Sequence, residues 1–267
     1  MSVTPIILHH GLFGHGEIHI GPFTWEYFHR IGRAIAARGY PVLATSVHPT
    51  AGIQTRAGQL KTAILQRFPD LLSSGQRIVI LAHSMGGLDA RYMLTHLNMA
   101  PHVAALVTIC TSHRGSPYAD WVIRHVGQRL GGLRLMEFLN LDIQAIADLT
   151  TDNCRRFNES TPDMPGVAYM SIVARAPMRH MPPFAIHSWK TIHRVEGDND
   201  GLVSVRSGVW GERLAIWPLD HWACINRRFK WVNPKDDITP SYMKILDTLE
   251  QRGLMENQPA PAVTATA

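Results

Sequence analysis

The segment at 77–82, RIVILA, is apolar at five of its six positions and has the length of one strand. A strand that is apolar on both faces is typical of the centre of a parallel sheet. Similar strand-length runs alternate with segments of helical periodicity through the first half of the chain. Strands are predicted at 5–9, 41–46, 77–83 and 103–110, and helices at 24–38, 53–68 and 85–98. This alternation predicts an α/β fold with a mostly parallel central sheet flanked by helices.

The second half of the chain contains an insertion followed by more sheet. Between 115 and 165 the alternation is replaced by a stretch rich in Gly, Leu and Arg, with more apolar residues than one helical stripe needs. We expect an inserted helical cap, or lid, over a binding site, although an ordinary pair of core helices explains the pattern equally well. Strands are predicted at 167–173, 191–197 and 213–218, and a final helix at 242–252.

The composition is that of a globular protein, with 45% hydrophobic and 18% charged residues. We expect a single domain over 1–255 and a disordered tail over 256–267, because the tail has too few large apolar residues to pack. The net charge is +5, but the arginines are scattered and form no basic tract, so no nucleic-acid partner is expected. The chain shows no signal-peptide pattern and only three sparse cysteines, which favours a cytoplasmic location.

The strongest motif is Ala82-His83-Ser84-Met85-Gly86, which lies between a predicted strand and a predicted helix. It matches the nucleophile elbow G-x-S-x-G, with Ala82 at the position of the first glycine. The sharp turn of an elbow requires small residues on both sides of the serine. The motif therefore predicts that Ser84 is a nucleophile and that His83 packs beside the turn.

A serine hydroxyl needs a base to take its proton, and the base needs an acid to hold it in the right tautomer. In elbow-bearing folds the chain order is serine, acid, histidine. Three histidines lie beyond residue 180, well after the insertion, namely His187, His193 and His221. His193 falls inside a predicted strand, whereas His221 lies on a loop after one. We therefore predict His221 as the base.

The acid is expected in the segment VEGDNDGLVSV, which offers Asp198 and Asp200. A shift of two residues along an irregular loop is within the error of this prediction, so the residues alone leave both open. Asp220 directly precedes His221, and we interpret it as a solvated turn residue.

An acyl-transfer site also needs two backbone N–H donors for the oxyanion of the tetrahedral intermediate. The residue after the nucleophile, Met85, supplies one. The other is expected from a glycine-containing loop after the first strand, which here is HHGLFGHG at 9–16. The N–H of Leu12 or Phe13 is placed to face the oxyanion.

The four histidines of that loop raise the alternative of a metal-dependent hydrolase that uses His10, His15 and His19. Zinc proteases with the H-E-x-x-H motif need the glutamate directly after the first histidine on a helix, whereas Glu17 is two residues from His15. The glycines of the loop disfavour a helix, and no further ligand has a suitable spacing. We therefore expect no metal and no cofactor.

With these motifs, the chain resembles the bacterial triacylglycerol lipases of the Pseudomonas and Burkholderia type, within the α/β-hydrolase superfamily. The resemblance covers about 6–226 and rests on four segments: HHGLFG, AHSMGGLDARY, VTICTSHRGSPYADW and NDGLVSV with DHWACIN. It implies that the catalytic acid is Asp200, in the Asn-Asp-Gly motif, and that the oxyanion donors are Leu12 and Met85. It also implies a mobile lid within the predicted cap.

Three positions depart from the family pattern. Ala223 replaces an aspartate that helps to hold calcium in the family, and Arg206 replaces a disulfide cysteine. The predicted cap is also shorter than the lid of the large secreted lipases.

The sequence thus predicts a serine hydrolase, a lipase or carboxylesterase, that cleaves acylglycerols or similar acyl esters through an acyl-enzyme. Its expected partner is a small-molecule or lipid ester, with transient lipid-interface contact through the cap; the oligomeric state stays open. A non-catalytic scaffold that binds an apolar ligand is the alternative, and an ordered Ser84, Asp200 and His221 argues against it.

Overall fold

The computed structural model describes residues 3–20, 23–127, 143–227, 229 and 237–257. The described residues form eight strands: β1 (Ile6–His9), β2 (Glu17–Ile20), β3 (Phe23–Glu26), β4 (Val42–Ala44), β5 (Ile78–His83), β6 (Val103–Ile109), β7 (Ala168–Ala174) and β8 (Glu212–Trp217). Six of them form one sheet in the order β4-β1-β5-β6-β7-β8, and every neighbouring pair is parallel. The predicted parallel α/β sheet is confirmed.

Nine α-helices lie within the described residues: α1 (Ile31–Ala37), α2 (Ile53–Arg67), α3 (Gly86–His96), α4 (Pro117–Gly127), α5 (Ile143–Asp148), α6 (Thr151–Ser160), α7 (Ile186–Glu196), α8 (Val205–Gly208) and α9 (Thr239–Gln251). The final helix therefore begins three residues before its predicted start. Within these described segments, no helix is both long enough and apolar enough to cross a membrane.

The sheet is buried between two apolar layers, as the run RIVILA predicts. Every residue of β5 and β6 is buried. On one face β-strand side chains pack with α1 and α9, and on the other with α2 and α3. Because parallel strands end at the same edge, this sandwich places the loops after β1, β5, β6 and β7 side by side.

The insertion between β6 and β7 contains α4, α5 and α6, which agrees with the prediction of helices there. Asp148 at the end of α5 accepts the N–H of Ile53, the first residue of α2, at 2.8 Å. Asp120 of α4 accepts from the N–H and hydroxyl of Thr151 in α6, each at 2.8 Å. Residues 128–142 of the predicted cap and 258–267 of the predicted tail lie outside the described residues. The lid and the single domain over 1–255 stay predictions.

The predicted helix over 24–38 is wrong in its first part. The segment Phe23–Glu26 is a strand that pairs antiparallel with Glu17–Ile20, and the helix begins only at Ile31. Phe23, Thr24 and Trp25 are aromatic or β-branched residues, which favour strands over helices. The Glu26 carboxylate then accepts the N–H of Arg30 at 3.0 Å, just before the helix starts.

The predicted strand over 191–197 is also wrong, because this segment is the second half of helix α7. Ile186, Trp189 and Ile192 recur every third residue and lie on the side of the helix that packs inward. A strand of the predicted length cannot be distinguished from such a helix by a short apolar run alone. The helix ends at Glu196 and is capped by Gly197, which adopts a φ of 81°.

Candidate active site

Ser84 lies at the carboxyl end of β5, one residue before the N-cap of α3, with a φ of 56°. Positive φ is costly for a residue with a side chain and persists where the surroundings enforce it. A Cβ on Gly86 would lie 2.7 Å from the carbonyl oxygen of His10, and one on Gly87 would lie 2.3 Å from Oγ1 of Thr111. The segment therefore has the geometry of a nucleophile elbow, in which glycines make room for the turn.

Asp200 and His221 form a buried hydrogen-bonded pair at the carboxyl edge of the sheet. Nδ1 of His221 lies 2.8 Å from Oδ2 of Asp200. The other carboxylate oxygen, Oδ1, accepts the N–H groups of Leu202 at 2.9 Å and Val203 at 2.7 Å. Since a carboxylate only accepts, Nδ1 of His221 carries the proton, which leaves Nε2 as an acceptor. This is the tautomer that a general base requires.

The two candidate acids, Asp198 and Asp200, lie in different environments. Asp198 is exposed and forms an ion pair with Arg175, whereas Asp200 is buried against His221. Asp220 was expected to be a solvated turn residue, and this expectation is wrong. It is buried, and its Oδ1 accepts the N–H groups of Trp222 at 2.9 Å and Ala223 at 3.0 Å. Asp220 thus shapes the turn that carries His221.

A chain of hydrogen bonds links the loop after β1 to the loop of His221. The Gly11 N–H donates to Oη of Tyr27 at 3.3 Å, and this hydroxyl lies 2.9 Å from Nδ1 of His83. Nε2 of His83 in turn lies 3.1 Å from the carbonyl oxygen of His221. Burial holds the pKa of His83 well below its usual value, so the neutral ring donates from Nε2. His83 therefore packs beside the turn, as predicted.

The same series of hydrogen bonds holds the loop of His221 close to Ser84. The rings of His83 and His221 are 4.5 Å apart between centroids, and Ser84 follows His83 directly. No hydrogen bond joins Oγ of Ser84 to His221 in the described part of the chain. Catalytic hydrogen bonds of this kind often tighten only when substrate is bound.

The loop after β1 approaches the serine closely enough to supply an oxyanion donor. A Cβ on Gly11 would lie 2.6 Å from Cβ and 3.1 Å from Oγ of Ser84. The Phe13 N–H donates to the carbonyl oxygen of Pro49 at 2.8 Å. Among the described residues, the N–H groups of Leu12 and Met85 donate to no protein acceptor. Of the two candidates in the loop, Leu12 rather than Phe13 has a free N–H.

His10 holds this loop rather than a metal ion. Its Nδ1 donates to the carbonyl oxygen of Gly11 at 2.8 Å, and its Nε2 accepts the Val47 N–H at 3.1 Å. Burial lowers the pKa of His10 to about 2. Because both ring nitrogens are already engaged, His10 is a poor metal ligand, and the metal-dependent alternative loses one of its three proposed ligands.

A buried ion pair beside the loop was not predicted from the sequence. Nε of Arg56 lies 2.8 Å from Oδ2 of Asp89, and its two terminal nitrogens donate to the carbonyl oxygens of His10 at 2.8 Å and His48 at 2.7 Å. His9 adds a contact of 3.0 Å from its Nε2 to the same Asp89 oxygen. Arg56, Asp89 and His9 are fully buried. This Arg56–Asp89–His9 cluster ties α2, the nucleophile helix α3 and the loop after β1 together.

The sequence does contain one signal for this cluster. Arg56 is three residues after Ile53 and four before Leu60, so it falls on the apolar face of α2. A charged residue on such a face is buried only when it is paired.

Two free thiols, those of Cys110 and Cys224, are buried near Asp200. Sγ of Cys110, one carboxylate oxygen of Asp200 and one ring nitrogen of His221 all lie within 4.8 Å of one another. Sγ of Cys224 is 3.5 Å from Sγ of Cys110. Burial raises the pKa of both thiols. They therefore stay protonated and add no second negative charge beside Asp200.

Comparison with known proteins places this geometry in a family. The profile of the Alpha/beta hydrolase family matches residues 6–257. The chain belongs to this family. The alpha/beta hydrolase is 33% identical over 246 residues to triacylglycerol lipase 2 of Saccharomyces cerevisiae, a match that covers 85% of this chain and 74% of the yeast protein.

Bacterial relatives confirm the resemblance stated from the motifs. The hydrolase is 33% identical over 131 residues to the triacylglycerol lipase of Pseudomonas fragi, covering 48% of this chain and 41% of that protein. It is 30% identical over 119 residues to the triacylglycerol lipase of Burkholderia plantarii, covering 44% and 32%. The chain thus matches less than half the length of these two relatives.

Solved structures share the fold. The lipase BlEst2 of Bacillus licheniformis in its mature form aligns with a TM-score of 0.67 at 21% identity, over 91% of this chain and 92% of that one. The lipase of Staphylococcus hyicus aligns with a TM-score of 0.70 at 16% identity, over 93% and 95%. The predicted α/β-hydrolase fold is therefore confirmed.

Proposed function

We propose that this protein hydrolyses carboxylic esters through an acyl-enzyme, with Ser84 as nucleophile, His221 as base and Asp200 as the acid that orients the base. The observation that carries the proposal is the Asp200–His221 hydrogen bond of 2.8 Å at the edge where the strained Ser84 turn lies. Family membership and the lipase relatives support the same reaction class.

In the proposed reaction, Oγ of Ser84 attacks the acyl carbon while Nε2 of His221 takes the hydroxyl proton. The resulting imidazolium is stabilised by Asp200, which keeps its negative charge. His221 then gives the proton to the departing alcohol oxygen, and the acyl group stays on Ser84. Water attacks this ester with His221 again as base, which releases the acid and restores the serine.

The N–H groups of Leu12 and Met85 are proposed to bind the oxyanion in both steps. Leu12 comes from the loop after β1 and Met85 directly follows the serine, and neither N–H has another acceptor in the described residues. Donors that are already oriented need no reorganisation when charge develops. One such donor lowers the activation barrier by roughly 2.7–4 kcal/mol.

The proposed substrates are acylglycerols or similar acyl esters, which places the enzyme among the lipases and carboxylesterases. The relatives from yeast, Pseudomonas and Burkholderia are named triacylglycerol lipases. An apolar cluster lies against both oxyanion donors and includes Leu88 of α3 with Leu149 and Phe157 from the insertion. We propose that the acyl chain binds along this cluster and that the insertion contacts the lipid interface as a cap.

Replacement of the nucleophile tests the proposal. Ser84→Ala should lower turnover of a p-nitrophenyl ester by roughly 10⁶-fold and abolish labelling by a fluorophosphonate probe. Ser188→Ala removes another buried serine, whose Oγ donates to Ala185, and should keep both. Ester hydrolysis retained in Ser84→Ala would overturn the proposed mechanism. Absence of labelling and turnover in the unaltered protein would instead support the non-catalytic scaffold.

A further inference from the structure

The segment between β7 and α7, together with α7 itself, carries a strongly basic surface. From 175 to 195 the sequence contains no Asp or Glu. Four cationic side chains are exposed in this stretch: Arg175, and further along the chain Arg179, Lys190 and Arg194. The acids that follow are already engaged: Glu196 accepts from Oγ of Ser204 at 2.5 Å, and Asp198 pairs with Arg175. The cations therefore have no acidic neighbours within this stretch.

Large apolar side chains are exposed among these cations. Phe184 is 59% exposed and Met178 is 40% exposed. The Phe184 ring packs edge-on against Trp222 at 4.9 Å and Phe229 at 5.2 Å between centroids. Trp222 directly follows His221, so this apolar group borders the proposed active site. Met178 and Arg179 lie on the helical turn Met178–His180 and Phe184 on the turn Pro183–Ala185, and both turns contact α7, which carries Lys190 and Arg194. We name these five exposed side chains the basic aromatic patch.

Half-buried aromatic residues lie on α7 and beside it. The Trp189 ring stacks on His193 at 4.4 Å, while its Nε1 donates to the carbonyl oxygen of Ala176 at 2.9 Å. From α4, the rings of Tyr118 and Trp121 contact His187 at 5.7 Å and 4.4 Å. Tryptophan and tyrosine with one apolar and one polar end are typical of the level of lipid headgroups.

We infer that the basic aromatic patch docks the enzyme on an anionic lipid surface. Exposed apolar side chains gain free energy by entering the acyl boundary, and cations beside them gain it from anionic headgroups. A docking protein surface would bury Phe184 and Met178 but would not need three cations beside them, none of which forms an ion pair with another described residue. The inference goes beyond ester hydrolysis, because docking needs no reaction. It gives the hydrolase a surface other than the predicted cap with which to approach its substrate.

The binding experiment is done with Ser84→Ala as background, so that vesicles are not consumed and failure of the proposed chemistry cannot affect the result. Sedimentation with phosphatidylcholine vesicles is compared with sedimentation after inclusion of about 30% phosphatidylglycerol, at about 50 mM and about 300 mM NaCl. We expect binding at least roughly tenfold tighter to the anionic vesicles, with most of that gain lost at the higher salt concentration. Equal affinity for both vesicle types would overturn the inference.

Matched variants locate the surface. Phe184→Ser should weaken binding several-fold, whereas Leu72→Ser should not, although Leu72 is 52% exposed and lies at the opposite end of the sheet. Arg179→Glu with Lys190→Glu should weaken binding at least roughly tenfold. Arg67→Glu with Lys244→Glu makes the same change in net charge on α2 and α9 and should have little effect.

Two results with these variants would contradict the inference. An equal loss in both double variants would show that net charge, and not the basic aromatic patch, attracts the vesicles. Tighter binding to a short DNA duplex than to anionic vesicles, lost in the same patch variants, would assign the patch to nucleic acid instead.

Discussion

The nucleophile side and the acid side of the active site are held in place by different interactions. The nucleophile side contains Ser84 and the loop after β1, and the buried Arg56–Asp89–His9 cluster fixes it. On the acid side, Asp200 receives two backbone N–H groups within its own turn and one imidazole. Long-range charge pairs hold the first, and local backbone geometry holds the second. Substitutions in the Arg56–Asp89–His9 cluster should therefore mainly lower stability, whereas substitution of Asp200 should mainly lower activity.

Apart from replacement of the nucleophile itself, Asp200→Asn should have the largest effect on catalysis. The amide can keep the position of the side chain, but it no longer favours a proton on Nδ1 of His221, so kcat for ester hydrolysis should fall roughly 10⁴-fold with little loss of stability. Asp198→Asn changes the neighbouring exposed carboxylate and should keep activity within about twofold. A larger loss of activity in Asp198→Asn than in Asp200→Asn would show that Asp198, and not Asp200, is the catalytic acid.

Asp89→Ala should have the largest effect on stability. It leaves the Arg56 guanidinium buried without its charge partner, which costs about 3–5 kcal/mol in the free energy of unfolding. Arg56 is then no longer held in position to donate to the carbonyl oxygen of His10. The loop after β1 is less well placed as a result, so kcat should fall as well while KM changes less. Urea denaturation monitored by tryptophan fluorescence measures the first effect.

The control for this prediction is Asp152→Ala, which removes an exposed carboxylate 3.6 Å from Arg155. It should cost less than about 1 kcal/mol, as exposed ion pairs do. If both variants are equally stable, the cluster does not hold the nucleophile side.

The nucleophile side should also weaken at acidic pH. Burial lowers the pKa of His10 to about 2 and also lowers the pKa of His9. Below pH 6.5 the unfolded chain binds protons at these residues and the folded chain does not, so stability falls as pH falls. Each of these histidines steepens the dependence by up to about 1.4 kcal/mol per pH unit.

His10→Asn should therefore reduce the slope of unfolding free energy between pH 6 and about 4.5 by about one proton. Urea denaturation at a series of pH values measures it. An identical slope in His10→Asn and the unaltered protein would contradict the assignment.

The two sides also differ in how far the sequence predicts them. The elbow, the Asn-Asp-Gly segment and the parallel sheet depend on short motifs and on the alternation of elements, and the sheet and family are confirmed. The Arg56–Asp89–His9 cluster joins residues 33 and 80 positions apart. The position of Arg56 on the apolar face of α2 indicates that it is buried, but no local pattern identifies its partners. Helix α7 was missed for a different reason, since its apolar residues suit a strand or a helix until packing decides.

The choice between Asp198 and Asp200 shows the same limit at a smaller scale. The spacing of two residues carries no information about which carboxylate points inward. The structure distinguishes them through hydrogen bonds to Leu202 and Val203, which depend on the turn that follows.

The three free cysteines give the molecule internal reporters of its own motions. Cys154 is buried within the insertion, on α6, with its thiol 3.3 Å from the carbonyl oxygen of Asp148. Cys110 and Cys224 are buried beneath the acid and the histidine. An alkylating reagent can modify each thiol only when the surrounding structure opens. Rates of modification at these positions therefore measure, in one sample, how often the structure opens locally around α6 and how often it opens around Asp200 and His221.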